Sequence, residues 1–153
     1  MRPVALADYA WRGDPSVPAW DEARILLVMD GDCALCSAAA RRIALWDGAD
    51  KIRITTAEGP LGRALLRLYG LDADDPATWL MIEDGRAYGS LDAMLRLAPR
   101  LKRWTRVFGA LRVLPVAVQD WLYARIARNR YALFGRDDLC ALPPEALRRR
   151  LVG

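Results

Sequence analysis

Two cysteines spaced C-x-x-C, Cys33 and Cys36, stand directly behind two aspartates, Asp30 and Asp32, in the stretch Ile25 to Cys36, "ILLVMDGDCALC". If Cys33 opens a helix, Cys36 lies roughly one turn further on, because a turn takes about 3.6 residues. The two sulfurs can then close a disulfide with little backbone movement. The first sulfur faces the helix N-terminus, where unpaired N–H groups and the macrodipole favour a thiolate. The second is shielded behind it. Spacing therefore makes Cys33 the attacking thiol and Cys36 the resolving one. The competing uses of such a pair are half of a zinc site and inert packing. Zinc takes four ligands, and beyond the pair this chain offers only Cys140 and a carboxylate.

The neighbouring charges have their own alternatives. Asp30, at a strand end beneath the motif, is either a partly buried carboxylate that accepts the Cys36 proton or a turn-stabilising, capping aspartate. Asp32 immediately precedes Cys33 and reads first as a helix N-cap. Both negative charges oppose a thiolate at Cys33. Cys140 is either a second resolving thiol, should the C-terminal segment fold over the motif, or a small buried hydrophobe. Arg128 and Arg130 either offset the carboxylates or belong to a solvated helix face.

What must position these residues is one domain's worth of chain. The 153 residues are 54% hydrophobic and 27% charged, the profile of a soluble globular protein. The net charge of +4 is carried almost wholly by arginine, with lysine only at Lys51 and Lys102, and reads as solvated surface, not a nucleic-acid footprint. Histidine is absent, which excludes Ser-His-Asp and Cys-His catalysis and histidine-ligated metals. The first twenty residues hold no apolar core of a secretory signal, and the apolar stretch Val107 to Ala127 is interrupted by Arg112, Pro115, Asp120 and Arg125. A cytoplasmic protein without a membrane span is expected.

Ile25 to Met29 is a continuous apolar run, expected as a buried strand, and Ala34 to Trp46 as a helix broken by Asp47-Gly48. A strand over Lys51 to Ala57, a helix over Leu61 to Tyr69 and a strand over Thr78 to Ile82 follow. Asp84-Gly85 signals a hairpin into a strand at Arg86 to Tyr88. Ser90 is placed to cap a helix from Leu91 to Leu97, with Pro99 as its stop. This β-α-β-α-β-β-α order is that of the thioredoxin fold, an α/β class. Two more helices are expected, over Lys102 to Val113 and Val116 to Asn129. Leu114, Val118, Leu122 and Ile126 recur on one face, read as packing on the sheet in preference to a membrane-surface or partner helix. The organisation expected is a lead-in over 1–24, a thioredoxin-like core over 25–100 and a helical extension over 101–153 packed on it, all in one domain.

The segment Asp30-Gly31-Asp32-Cys33-Ala34-Leu35-Cys36 behind an apolar strand resembles the D-x-x-C-x-x-C signature of the DCC family of predicted thiol-disulfide oxidoreductases, met by Asp30, Cys33 and Cys36. "EDGRAYGSLDAMLRL" and "ARNRYALFGRDDLCALP", the second like the family's closing motif with its third cysteine, extend the likeness over about Ile25 to Pro143. The resemblance implies a thioredoxin-like enzyme with no cofactor and no metal. Its partners would be a protein thiol or disulfide substrate and an electron donor. Thioredoxins carry a cis-proline directly before the third strand. The nearest candidate here, Pro76, is separated from Trp79 by Ala77 and Thr78 and reads as a loop proline, which puts Thr78 in the facing position. Two alternatives stand beside this. The D-x-D of Asp30 and Asp32 resembles the first motif of haloacid-dehalogenase-type phosphotransferases, with Asp30 as nucleophile, Asp32 as acid/base and Mg²⁺ between them. A non-catalytic thioredoxin-like binding module is the other.

Overall fold

All five residues of β1 (Ile25–Met29) are buried, which a strand reaches only when both its faces are covered. In this computed structural model, which describes residues 2–74, 78–139 and 143–153, β1 is an inner strand of a four-stranded sheet. It pairs in parallel with β2 (Ile52–Thr56), Ile25 opposite Ile52, and antiparallel with β3 (Leu80–Glu83), Leu26 opposite Ile82. β3 pairs antiparallel with β4 (Arg86–Gly89), so the order is β2-β1-β3-β4. The hairpin turns on Asp84 and Gly85, both at positive φ, as a two-residue turn matched to strand twist requires.

Alternation along β1 sends Leu27 and Met29 into one core and Leu26 and Val28 into the other. The first core lies under α1 (Ala34–Trp46) and α3 (Ser90–Leu101) and also takes Leu139 and Leu147 from the C-terminal part. The second lies under α2 (Pro60–Leu68) and is completed by the lead-in, whose buried Trp11 sits 5.0 Å from Trp20 between ring centroids. Gly62 lets α2 approach β2 closely; a Cβ there would come 2.0 Å from the Thr56 carbonyl oxygen. The architecture is the thioredoxin-like α/β fold expected from the element order.

Several expectations need correction. Ser90 does not cap α3: it is the helix's first residue, at φ 54°, and its amide donates to Thr78 Oγ1 at 2.7 Å. Pro99 does not stop α3, which runs on to Leu101; the Thr105 hydroxyl takes the Ala98 and Lys102 carbonyls at that end. The third strand begins at Leu80, leaving Thr78 and Trp79 ahead of it. The segment Arg103–Val113 is a 3₁₀ helix, and α4 (Val116–Phe134) continues past Asn129 to stop at Gly135.

The largest departure concerns the face of α4. The helix lies against α1 and α3, but Leu114, Val118, Leu122 and Ile126 are exposed, and the side turned inward carries Tyr123, Ala127 and Arg130. Beyond α4, α5 (Glu145–Arg148) packs on α1, and the terminal residues extend along β2, with Ile54 exchanging hydrogen bonds with Arg150 and Val152. A buried ion pair, Arg150 to Asp47 at 3.0 Å, pins that return.

Candidate active site

β1 ends at Met29, and the next three residues form a turn that aims Cys33 at the start of α1. Asp30 Oδ1 accepts the Asp32 amide at 2.9 Å, closing the turn. The Gly31 amide donates to the Glu58 carboxylate at 3.2 Å, and a Cβ on Gly31 would come 2.7 Å from that carboxylate and displace it. Asp32 is not the cap expected. Cys33 itself occupies the N-cap position, with extended φ and ψ and no side-chain capping bond. The reason is that Asp30 already holds the Asp32 amide and fixes the turn one residue earlier.

The C-terminal segment folds over this turn as a strap. Leu139 N–H donates to the Gly31 carbonyl (2.8 Å), Asp137 N–H to the Asp32 carbonyl (3.1 Å) and Ala34 N–H to the Gly135 carbonyl (3.3 Å). Cys33 and Arg136 form an antiparallel bridge, and Ser37 and Arg41 bind Asp137 from α1. Cys33 is thereby sealed, with 0% of its surface exposed, while Cys36 is half-buried and lines a pocket. That reverses the expected order of shielding. The cause is a chain segment about a hundred residues away, which covers the N-terminus of α1 and leaves its second turn open.

Both thiols are free, and Cys33 lies close enough to Cys36 to influence its ionisation. Burial pushes the Cys36 thiol well up, and the neighbouring Cys33 and Asp30 push it the same way, while Arg130 opposes them. The pocket is walled by Leu35, Trp79, Ile126 and Ala127, with Thr78, Tyr123, Asp30 and Arg130 as its polar members. Thr78 thus shares the pocket with Cys36, and its hydroxyl lies 3.2 Å from the Tyr123 hydroxyl.

Beneath the thiols lies a cluster that sequence reasoning only partly identified. Arg130 reaches Asp30 Oδ2 through Nη2 at 2.8 Å and Nε at 3.1 Å, and the Tyr131 hydroxyl donates to the same oxygen. Asp30 and Arg130 are both almost fully buried. Burial works against the Arg130 charge, but its bonds to Tyr131 and Asp30 outweigh this and hold the guanidinium protonated. Tyr131 is pushed up to about 12 by its own burial and by the Asp30 carboxylate that accepts its hydrogen bond. Arg128, by contrast, is exposed and away from the carboxylates. Tyr123 and Tyr131 were missed, although Tyr131 stands beside Arg130 in the closing motif. Pro76 and Cys140 lie outside the described residues.

A family model described as DCC1-like thiol-disulfide oxidoreductase matches residues 27–136. The uncharacterized protein YuxK of Bacillus subtilis is 32% identical over 127 residues, covering 83% of this chain and 93% of that protein. The DCC family protein At1g52590, chloroplastic, of Arabidopsis thaliana is 30% identical over 123 residues, covering 80% and 72%. No solved structure matches significantly. The chain belongs to the DCC1-like thiol-disulfide oxidoreductase family.

Proposed function

We propose that this protein exchanges disulfides with protein thiols through Cys33 and Cys36. The observation that carries the proposal is a pair of free thiols, Cys33 at the N-cap and Cys36 in the first turn of α1, one of which opens on a pocket. In the reducing direction the Cys33 thiolate attacks a substrate disulfide, and the displaced substrate sulfur leaves as a thiolate and takes up a proton. Cys36 then loses its proton and attacks the Cys33 sulfur of the mixed disulfide. The Cys33–Cys36 bond forms and the second substrate thiol departs. Two electrons pass to the substrate, with the two protons given up by the protein thiols. The reverse sequence restores the dithiol at the expense of another dithiol.

The roles are assigned from chemistry. Cys33 stands at the N-cap of α1 and, as the first cysteine of the C-x-x-C, is given the attacking role. Cys36 is held protonated by its surroundings, as suits a thiol that acts second. Asp30 is the carboxylate among the pocket residues and takes the Cys36 proton during resolution, kept in place by Arg130 and Tyr131. Attack by Cys33 requires the strap over Gly135 to Leu139 to lift.

The phosphotransferase alternative has less support. Asp30 Oδ2 already faces the Arg130 guanidinium, a cation that competes for this carboxylate with the Mg²⁺ such an enzyme needs there. β3 and β4 form a hairpin in place of the later crossover-connected strands that such an enzyme needs. The test is direct. Mild oxidation should remove two hydrogen atoms from the peptide that holds both cysteines, and dithiothreitol should restore them. Cys36→Ser should accumulate mixed disulfides at Cys33, and Cys33→Ser should accumulate few. Two thiols that stay independently alkylatable after oxidation would overturn the redox proposal; equal trapping would overturn the roles alone.

A further inference from the structure

A helix packed on a globular domain ordinarily turns its apolar face inward and its charges to water. α4 breaks the first half of that rule. Its inward side presents Tyr123, Ala127 and the buried Arg130 to the dithiol pocket, as described above. Its outward side presents Val118, Trp121, Leu122, Ile126 and Leu133, which are 38–66% exposed. Val113 and Val116, just before, are exposed at 88% and 53%. Scattered single apolar residues need no explanation, but a contiguous patch on one face does.

The charge around this patch is equally one-sided. Residues 102–134 hold seven basic side chains against one acidic, Asp120, while the rest of the chain holds sixteen basic and eighteen acidic. Elsewhere most described arginines are paired: Arg12 with Glu22, Arg24 with Asp21, Arg63 with Asp74, Arg86 with Asp8. Lys102, Arg106, Arg112, Arg125 and Arg128 are exposed, and among the described residues none of them makes an ion pair.

The geometry points to a peripheral docking surface for an anionic lipid membrane, formed by the outward face of α4 and the 3₁₀ segment before it. An exposed tryptophan and aliphatic side chains interleaved with unpaired cations fit the headgroup boundary, which accepts apolar groups and is negatively charged. A second copy fits poorly, because a two-fold interface would bring like charge against like charge. The contact is superficial, since among the described residues no helix is long and apolar enough to cross a membrane. Ile126 belongs both to this face and to the Cys36 pocket, so docking sets the mouth of the pocket at headgroup level.

The full-length chain, kept reduced, is sedimented with vesicles of phosphatidylcholine and phosphatidylglycerol at 3:1, and with phosphatidylcholine alone. The expected result is partition onto the anionic vesicles only, weakening as salt rises. Arg125→Gln with Arg128→Gln should lower partition about 25-fold, at roughly fivefold per cation. Trp121→Gln should lower it too, and Arg86→Gln should not. All of these positions are exposed, and circular dichroism checks that each variant folds. Absence of wild-type binding to anionic vesicles at low salt would overturn the proposal without recourse to any variant. So would equal partition of wild type and the double variant, or a dimer in sedimentation equilibrium that Trp121→Gln dissociates.

Discussion

Replacing Arg130 by methionine tests whether the cluster beneath the thiols is held together as a charged pair. The side chains of Arg130 and Asp30 are 8% and 5% exposed, so solvent can do little to compensate a broken pair. Arg130→Met removes two donors from Asp30 Oδ2 and, among the described residues, leaves that oxygen with the Tyr131 hydroxyl alone. Breaking a buried pair from one side costs about 3–5 kcal/mol. Because Tyr131 and the Asp32 amide remain, the lower end applies, about 3 kcal/mol, or roughly 6–12 °C in Tm for a chain of this size. Asp30→Asn keeps the shape of the turn and gives up the charge, at about 2 kcal/mol for the loss of charge-assisted bonds. The double variant leaves neither charge stranded, so its cost should fall short of the sum by about 1–2 kcal/mol. Urea unfolding of all four proteins, followed by circular dichroism in reducing buffer, measures this cycle. The exposed pair Arg86 and Asp8 is the control and should be nearly silent. Costs that add to within about 0.5 kcal/mol would refute the pair as the organising contact.

Two further outcomes follow from the same geometry. If Asp30 takes the Cys36 proton, Asp30→Asn should slow resolution of a mixed disulfide near neutral pH, and the rate should recover as pH rises far enough to ionise Cys36 unaided. If Asp30 acts only as a repelling charge, its removal eases ionisation of Cys36 and resolution becomes faster at neutral pH; stopped-flow exchange across a pH series distinguishes the two by sign. The strap hinges on Gly135, whose φ of 78° and ψ of −170° suit only glycine, so Gly135→Ala should strain it by about 1–3 kcal/mol. Timed alkylation read by peptide mass spectrometry should then show Cys33 reacting at least several-fold faster, and an unchanged rate would exclude the strap as the barrier to that thiol.

What could be read from the sequence was what local rules govern. The run from Ile25 to Met29, the helix formers after Cys33 and the Asp84-Gly85 turn each carry their instruction in a few adjacent residues, and each element lies within a residue or so of its expected place. The strap escaped because Gly135 to Leu139 is short, polar and rich in turn residues; it becomes strand-like only by pairing with a turn that lies a hundred positions earlier. Arg128 and Arg130 show the same limit on a smaller scale. Two residues apart on a helix, they point about 200° apart, so one meets Asp30 and the other meets water. Their spacing says that they differ, but nothing local says which one turns inward. The apolar stripe on α4 was likewise visible as a period, while its direction depended on the charged cluster that claims the opposite side.

Asp30 shows why the turn and the chemistry are difficult to separate. Oδ1 closes the turn that places Cys33 at the head of α1, and Oδ2 anchors Arg130 and Tyr131 at the floor of the Cys36 pocket. The two readings of this residue, turn former and carboxylate of the site, therefore belong to different oxygens of one side chain. A serine or threonine could close the turn but could not meet a guanidinium with a charge. A glutamate could carry the charge, but its longer side chain would put the carboxylate a carbon beyond the reach that fits the Asp32 amide. Asparagine at this position keeps the first function and loses the second. It is thus the substitution whose effect on Cys36, set against that of Arg130→Met, separates the geometry of the turn from the field at the thiol.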